Sequence, residues 1–172
     1  MIHPNKRTRR KNTLTDHRGQ AMTEFALTIP IFLLVVFGII EFGRLFVAYS
    51  SVYAAAREAA RYGAAVEDIG SNTPRYQDCA GMRAAAQRVG FMGFLDDPTN
   101  QITINYINAS DFTSLGSCTT TPSGFNPALG DRVRVVITSE YQPIIGGIVP
   151  KINISSTAIR TIVSKISVDQ RQ

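Results

Sequence analysis

The stretch Arg18-Gly19-Gln20-Ala21-Met22-Thr23-Glu24-Phe25 sets a carboxylate inside an apolar run, five residues after a glycine that ends a basic tail. A carboxylate near the membrane-embedded part of a helix is costly while unpaired, so Glu24 marks a functional position by default. Gly19 offers backbone without a Cβ, which an enzyme acting on this chain can draw out into extended form. Elsewhere the groups from which catalytic sites are built are missing. Both histidines, His3 and His17, lie in the basic tail, which excludes Ser-His and Cys-His nucleophile pairs beyond it. Cys79 and Cys118, with no histidine after them, do not make a zinc set. The adjacent acidic pairs Glu67-Asp68 and Asp96-Asp97 sit beside the turn residues Gly70 and Pro98 and read as solvated loop charge. The expectation is therefore no enzyme, no cofactor, no metal and no small-molecule substrate.

These residues must be positioned by a chain of 172 residues, enough for one membrane helix and one compact domain. A formal charge of +5 raises the question of nucleic acid. Its location answers it. Lys6, Arg7, Arg9, Arg10, Lys11 and Arg18 against Asp16 account for the whole excess before residue 20, and the remainder is balanced. A basic tail ahead of an apolar run follows the positive-inside rule and leaves no basic face to track phosphates, so no nucleic acid is expected. The tail has too little apolar content to fold and is expected to be disordered and cytoplasmic. From residue 25 to residue 40 runs FALTIPIFLLVVFGII, without a charge, and with residues 20–24 it approaches the roughly 20 residues that a bilayer requires. No small-residue cleavage signal follows directly, so the run reads as an anchor and not as a secretory signal.

Past Ile40 the helical period continues but becomes one-sided. Leu45, Ala48, Val52, Ala56, Ala59 and Gly63 fall on one face, with Ser50, Arg57, Glu58 and Arg61 opposite. One helix is thus expected over 22–66, with Pro30 kinking or loosening it. Its alanine-rich stripe requires a tightly packed partner. Glu41 and Arg44 stand either as an i, i+3 pair at headgroup level or as contacts to a neighbouring helix. A second helix is expected from Asp78 as N-cap to about Val89, with Cys79, Met82, Ala86 and Val89 on one side. Alternation in QITINYIN and RVRVVIT and the β-branched run INISSTAIRTIV predict three antiparallel strands, making the fold α+β. Between the first two strands, residues 112–131 read as a long Gly, Ser, Thr and Pro-rich loop. PIIGGIVP, at 143–150, is apolar for a loop and is expected to be partly buried or to touch a neighbouring subunit. Two cysteines beyond the span are expected to pair, because disulfides persist on that side of a membrane; two buried free thiols are the alternative.

The basic tail ending in glycine, with a glutamate inside the apolar helix, resembles a prepilin leader. Residues 18–64 are similar to the TadE-like family of tight-adherence pseudopilins, through Arg18, Gly19, Glu24, Phe25, Ala26, Pro30, Glu41, Phe42, Gly43 and Arg44 and the AAREAARYG run at 55–63. That resemblance implies a pilin-like fold and a minor structural subunit of a Tad (Flp, type IVb-like) pilus. It also implies cleavage between Gly19 and Gln20 by a prepilin peptidase, a membrane-embedded aspartyl enzyme. Glu24 would be retained as the assembly carboxylate, and other pilin and pseudopilin subunits would be the partners. The implied organisation is a cytoplasmic leader over 1–19, a transmembrane and amphipathic helix over 20–66 and an extracytoplasmic domain over 67–172, held in the cytoplasmic membrane with the N-terminus inside. Gln20 departs from the aromatic first mature residue of other pilin classes, where N-methylation is common. The rival from another class is an unprocessed single-span anchor carrying a binding domain that recognises its target through the loop containing Cys118.

Overall fold

The computed structural model describes residues 14–66, 68–69, 73–93, 95, 101–118, 130–144 and 150–163. The leader up to residue 13, Glu67, Gly70, Asp96, Asp97, Pro98 and the central parts of both expected loops, 119–129 and 145–149, lie outside them. The architecture is α+β. Two compact units meet in the sequence between Phe42 and Gly43. The helix α1 (Leu14–Gly63) contributes to both.

In the first unit α1 begins at Leu14, eight residues before the expected start, and continues through Pro30. Extending a helix from an established one adds a hydrogen bond per residue fixed, whereas nucleation is the costly event, so the span can carry its polar approach with it. Apolar side chains here face outward all round the helix, among them Phe25, Leu27, Phe32, Leu34 and Ile39. That is the pattern of a helix whose solvent is lipid. Among the described residues this helix alone is long and apolar enough to cross a membrane.

In the second unit the same helix turns one face to a core. Ala48, Val52, Ala56 and Ala59 are fully covered, Leu45 packs partly against the core, and Gly63 is buried. The covered strip is wider than the predicted one, since Ala55 and Ala60 are buried too and Ser51 donates from its hydroxyl to the Val89 carbonyl at 3.3 Å. The helix ends at Gly63 and not at residue 66, tightening as Ala64 N–H bonds Ala60 O at 3.1 Å and Ala65 N–H bonds Tyr62 O at 3.3 Å. A Cβ on Gly63 would stand 2.4 Å from the Met82 sulfur, so glycine there permits the close packing of α1 against Met82.

The partner that the alanine stripe requires is α2 (Cys79–Gly90) with the 3-10 turn after it (Phe91–Gly93). Asp78 caps α2 as expected, its carboxylate accepting from Gly81 N–H at 2.8 Å. The buried face consists of Met82, Ala85, Ala86 and Gly90; Val89, expected on it, is 37% exposed. The face is rotated because Gly90, lacking a side chain, is what lets α2 close on Ala55. Gly93 approaches α1 so closely that a Cβ would lie 2.8 Å from Val52 Cγ2, and its carbonyl accepts from the Ser139 hydroxyl.

The sheet is antiparallel, in the order β4-β3-β5-β6, with β3 (Ile102–Ile107), β4 (Ser114–Ser117), β5 (Arg132–Tyr141) and β6 (Ile152–Thr161). A separate two-residue pair, β1 (Asp68–Ile69) with β2 (Thr73–Pro74), follows α1. Alternation holds where it was read: Ile102, Ile104 and Tyr106 on β3, and Val133, Val135 and Ile137 on β5, face the core. The expected loop over 112–131 is corrected at its start. Ser114–Ser117 is a strand, paired with β3 across a register shift between Tyr106 and Ile107. Its sequence, SLGS, has no alternation and places Gly116 at φ 132°, so pairing with β3, and not local propensity, makes it a strand. Of the apolar connection 143–150, Pro143 is buried while Ile144 and Pro150 are exposed.

Candidate functional site

Gly19 lies within α1. Nothing would meet a Cβ added to it. One turn on, Glu24 stands on the exposed helix surface and accepts a hydrogen bond from the Gln20 side chain at 3.1 Å. The turn is tied by hydroxyls as well: Thr23 donates to the Gln20 carbonyl at 2.7 Å and Thr28 to the Glu24 carbonyl at 2.8 Å. Among the described residues Glu24 has no cationic partner. Gly19, Gln20 and Glu24 thus share one short exposed segment at the start of the apolar helix, and among the described residues the carboxylate is bonded to a neutral amide and not to a cation. This is a surface from which an approaching cation can take the carboxylate.

In the second unit the other two singled-out residues meet. Cys79, first residue of α2, and Cys118, just past β4, lie at disulfide distance with Cα atoms 5.7 Å apart and a sequence separation of 39. β4 is what brings Cys118 there, which is why a featureless loop could not explain the position. A bond closing that loop contributes roughly 3 to 4 kcal/mol by the chain-entropy estimate. Protein taken from the cell envelope is expected to resist alkylation at both cysteines until reduced. Quantitative labelling before reduction would refute the pairing.

The fully buried Tyr106 ring stands against this pair, its hydroxyl 3.2 Å from the Cys118 sulfur and donating to the Tyr76 carbonyl. Burial, with the neighbouring Tyr76, pushes its phenol up to about 12. The folded state thus favours the neutral phenol. The resulting stability is fully present below the ordinary tyrosine value near 10 and is lost as pH rises from about 10 to about 12. Denaturant unfolding across that window should show a loss of up to about 3 kcal/mol that Tyr106→Phe does not show. An equal alkaline loss in the phenylalanine variant would count against this account.

Charged residues on the outer face of α1 pair locally. Arg61 reaches Glu58 through two hydrogen bonds, 2.9 and 2.6 Å, which hold the Glu58 carboxyl below its usual range. Arg57 lies over the Tyr53 ring and Arg75 over Tyr62, whose hydroxyl donates to Asp78 at 2.8 Å. These contacts brace the ends of helices. Among the described residues no group of three or more His, Cys, Asp or Glu could hold a metal ion.

The family model described as TadE-like protein matches residues 19–61. No curated protein matches the chain, and no solved structure does. The matched segment begins at Gly19 and takes in Glu24, the apolar run and most of the alanine stripe. Such a match suggests a component associated with a Tad pilus, in the company of a membrane and of other pilus subunits. The exposed apolar helix is a candidate membrane anchor that suits this setting. Over residues 19–61, accordingly, this chain is similar to the TadE-like family.

Proposed function

We propose that this chain is a minor pseudopilin of a Tad-type pilus, a structural and assembly subunit made as a precursor. Residues 1–19 are its cytoplasmic leader, residues 20–66 its anchoring and packing helix, and residues 67–172 an extracytoplasmic domain. A prepilin peptidase removes the leader between Gly19 and Gln20. Cleavage frees an α-amino group on Gln20, and the Glu24 carboxylate of an adjoining subunit neutralises it as helices assemble in the membrane. The observation that carries this reading is the TadE-like match over a segment in which Glu24 sits on an exposed apolar helix with no cationic partner among the described residues.

The peptidase must open α1 locally, since Gly19 is helical here. Glycine inside a helix costs about 1 kcal/mol relative to alanine, which makes this turn the easier place to unwind. Intact mass of protein purified from its host tests the proposal. A mature chain beginning at Gln20 is expected. Retention of the basic tail on pilus-competent protein would overturn it and favour the anchored binding domain.

A further inference from the structure

The second unit has two unlike ends. Arg44 lies over the Tyr141 ring, 5.6 Å from its centroid, and Gly93 accepts from Ser139, so the last residues of β5 sit beside the first residues that α1 gives this unit. Met92 joins Gly43, Arg44 and Val47 in lining an apolar groove there. Phe91 is 74% exposed, Met92 49% and Ile144, just past β5, 65%. The opposite end lies beyond Arg132, seven residues before Ser139 and nine before Tyr141, or about 23 to 30 Å back along β5. It carries hydrogen-bonded polar turns instead, with Asn108 bonded to Ser110 and Asp111 to Thr113.

We propose that the end bearing Phe91, Met92 and Ile144 rests on the lipid bilayer, with these three side chains entering the boundary between headgroups and acyl chains. The occupant follows from the chain itself. Gly43–Val47 comes three to seven residues after the uncharged run that ends at Ile40, about 5 to 10 Å along a helix. The headgroup region beyond the hydrocarbon is of about that depth. Met92, which lines the groove with Gly43, Arg44 and Val47, therefore lies at the level where aromatic and apolar groups are favoured beside basic ones, with Phe91 next to it in the chain and Ile144 three residues past the Tyr141 ring that Arg44 covers. Tethering by the span keeps the lipid surface at high effective concentration, so even weak insertion is populated. The inference rests on α1 being a membrane span and not on the pilus assignment.

The chain has no tryptophan. Phe91→Trp and, separately, Ile144→Trp give single reporters in the full chain reconstituted into phosphatidylcholine vesicles at high dilution. Phe112→Trp, beside Arg132 at the far end, is the reference. Quenching by lipids carrying a nitroxide at the headgroup–acyl boundary should be several-fold stronger at 91 and at 144 than at 112, with blue-shifted emission. Equal quenching at all three positions, or none at 91 and 144, overturns the inference. So does emission at 91 that shifts only as the protein-to-lipid ratio rises, which would mean that a second copy covers the patch. Retention of span insertion under alkaline carbonate, checked on the same vesicles, separates failure of the inference from failure of the span.

Discussion

Gly19→Val is expected to accumulate as full-length precursor in the membrane, with processing and pilus formation both lost. A valine at the cleaved position adds a branched side chain, stiff at χ1, to a peptide that must lie extended in the peptidase. It also strengthens helix propensity at Gly19 by a few tenths of a kcal/mol, opposing the unwinding that cleavage requires. Nothing in the structure would resist the substitution, since a Cβ at Gly19 meets no atom within 4 Å. The defect should therefore be one of processing alone. Immunoblotting for a precursor band, with intact mass to identify it, checks the outcome. Normal maturation of Gly19→Val would place the cleavage site elsewhere and remove the leader from the argument for a pilin.

Much of this fold could be read from spacing, and the parts that could not have specific causes. The apolar run, the alanine stripe and the Asp78 cap are local signals, and each produced the expected element. The strands of β3 and β5 were legible because Ile102, Ile104 and Tyr106, and Val133, Val135 and Ile137, alternate while one face is buried. Ser114–Ser117 was missed because nothing in SLGS asks for a strand until β3 offers it hydrogen bonds. Val89 was placed by helical spacing on one side with Cys79, Met82 and Ala86, but Gly90 is the residue that lets α2 approach α1, and a close approach selects the smaller side chain. Of the apolar patch at the Tyr141 end, only the share of Ile144 was legible, as the odd composition of PIIGGIVP. Its relation to Phe91 and Met92 depends on β5 continuing past the alternating RVRVVIT run to Tyr141 and on the contacts that its end makes. Of the segment proposed as the processing and assembly site, the sequence supplied the residue types and spacing, and the structure adds that Gly19 is helical and Glu24 outward-facing.

Glu24→Val should mature like the wild type yet fail to assemble. Cleavage depends on the peptide around Gly19, whereas the proposed role of Glu24 begins only once Gln20 carries a free amine. In the isolated chain the carboxylate is held by the Gln20 side-chain amide at 3.1 Å, a neutral partner that an incoming ammonium can displace. Removing the carboxylate makes the span more apolar and easier to insert, so an assembly defect could not be ascribed to poor membrane integration. Glu24→Asp keeps the charge on a shorter arm and should retain part of the function. The two effects are separable by measurement: intact mass reports maturation, and recovery of the subunit with sheared pili, or co-purification with other pilus subunits, reports assembly. If Glu24→Val both matured and assembled normally, charge neutralisation would be the wrong role. If it failed to mature, the carboxylate would be part of what the peptidase reads, and the assembly role would have to be tested on chains already processed.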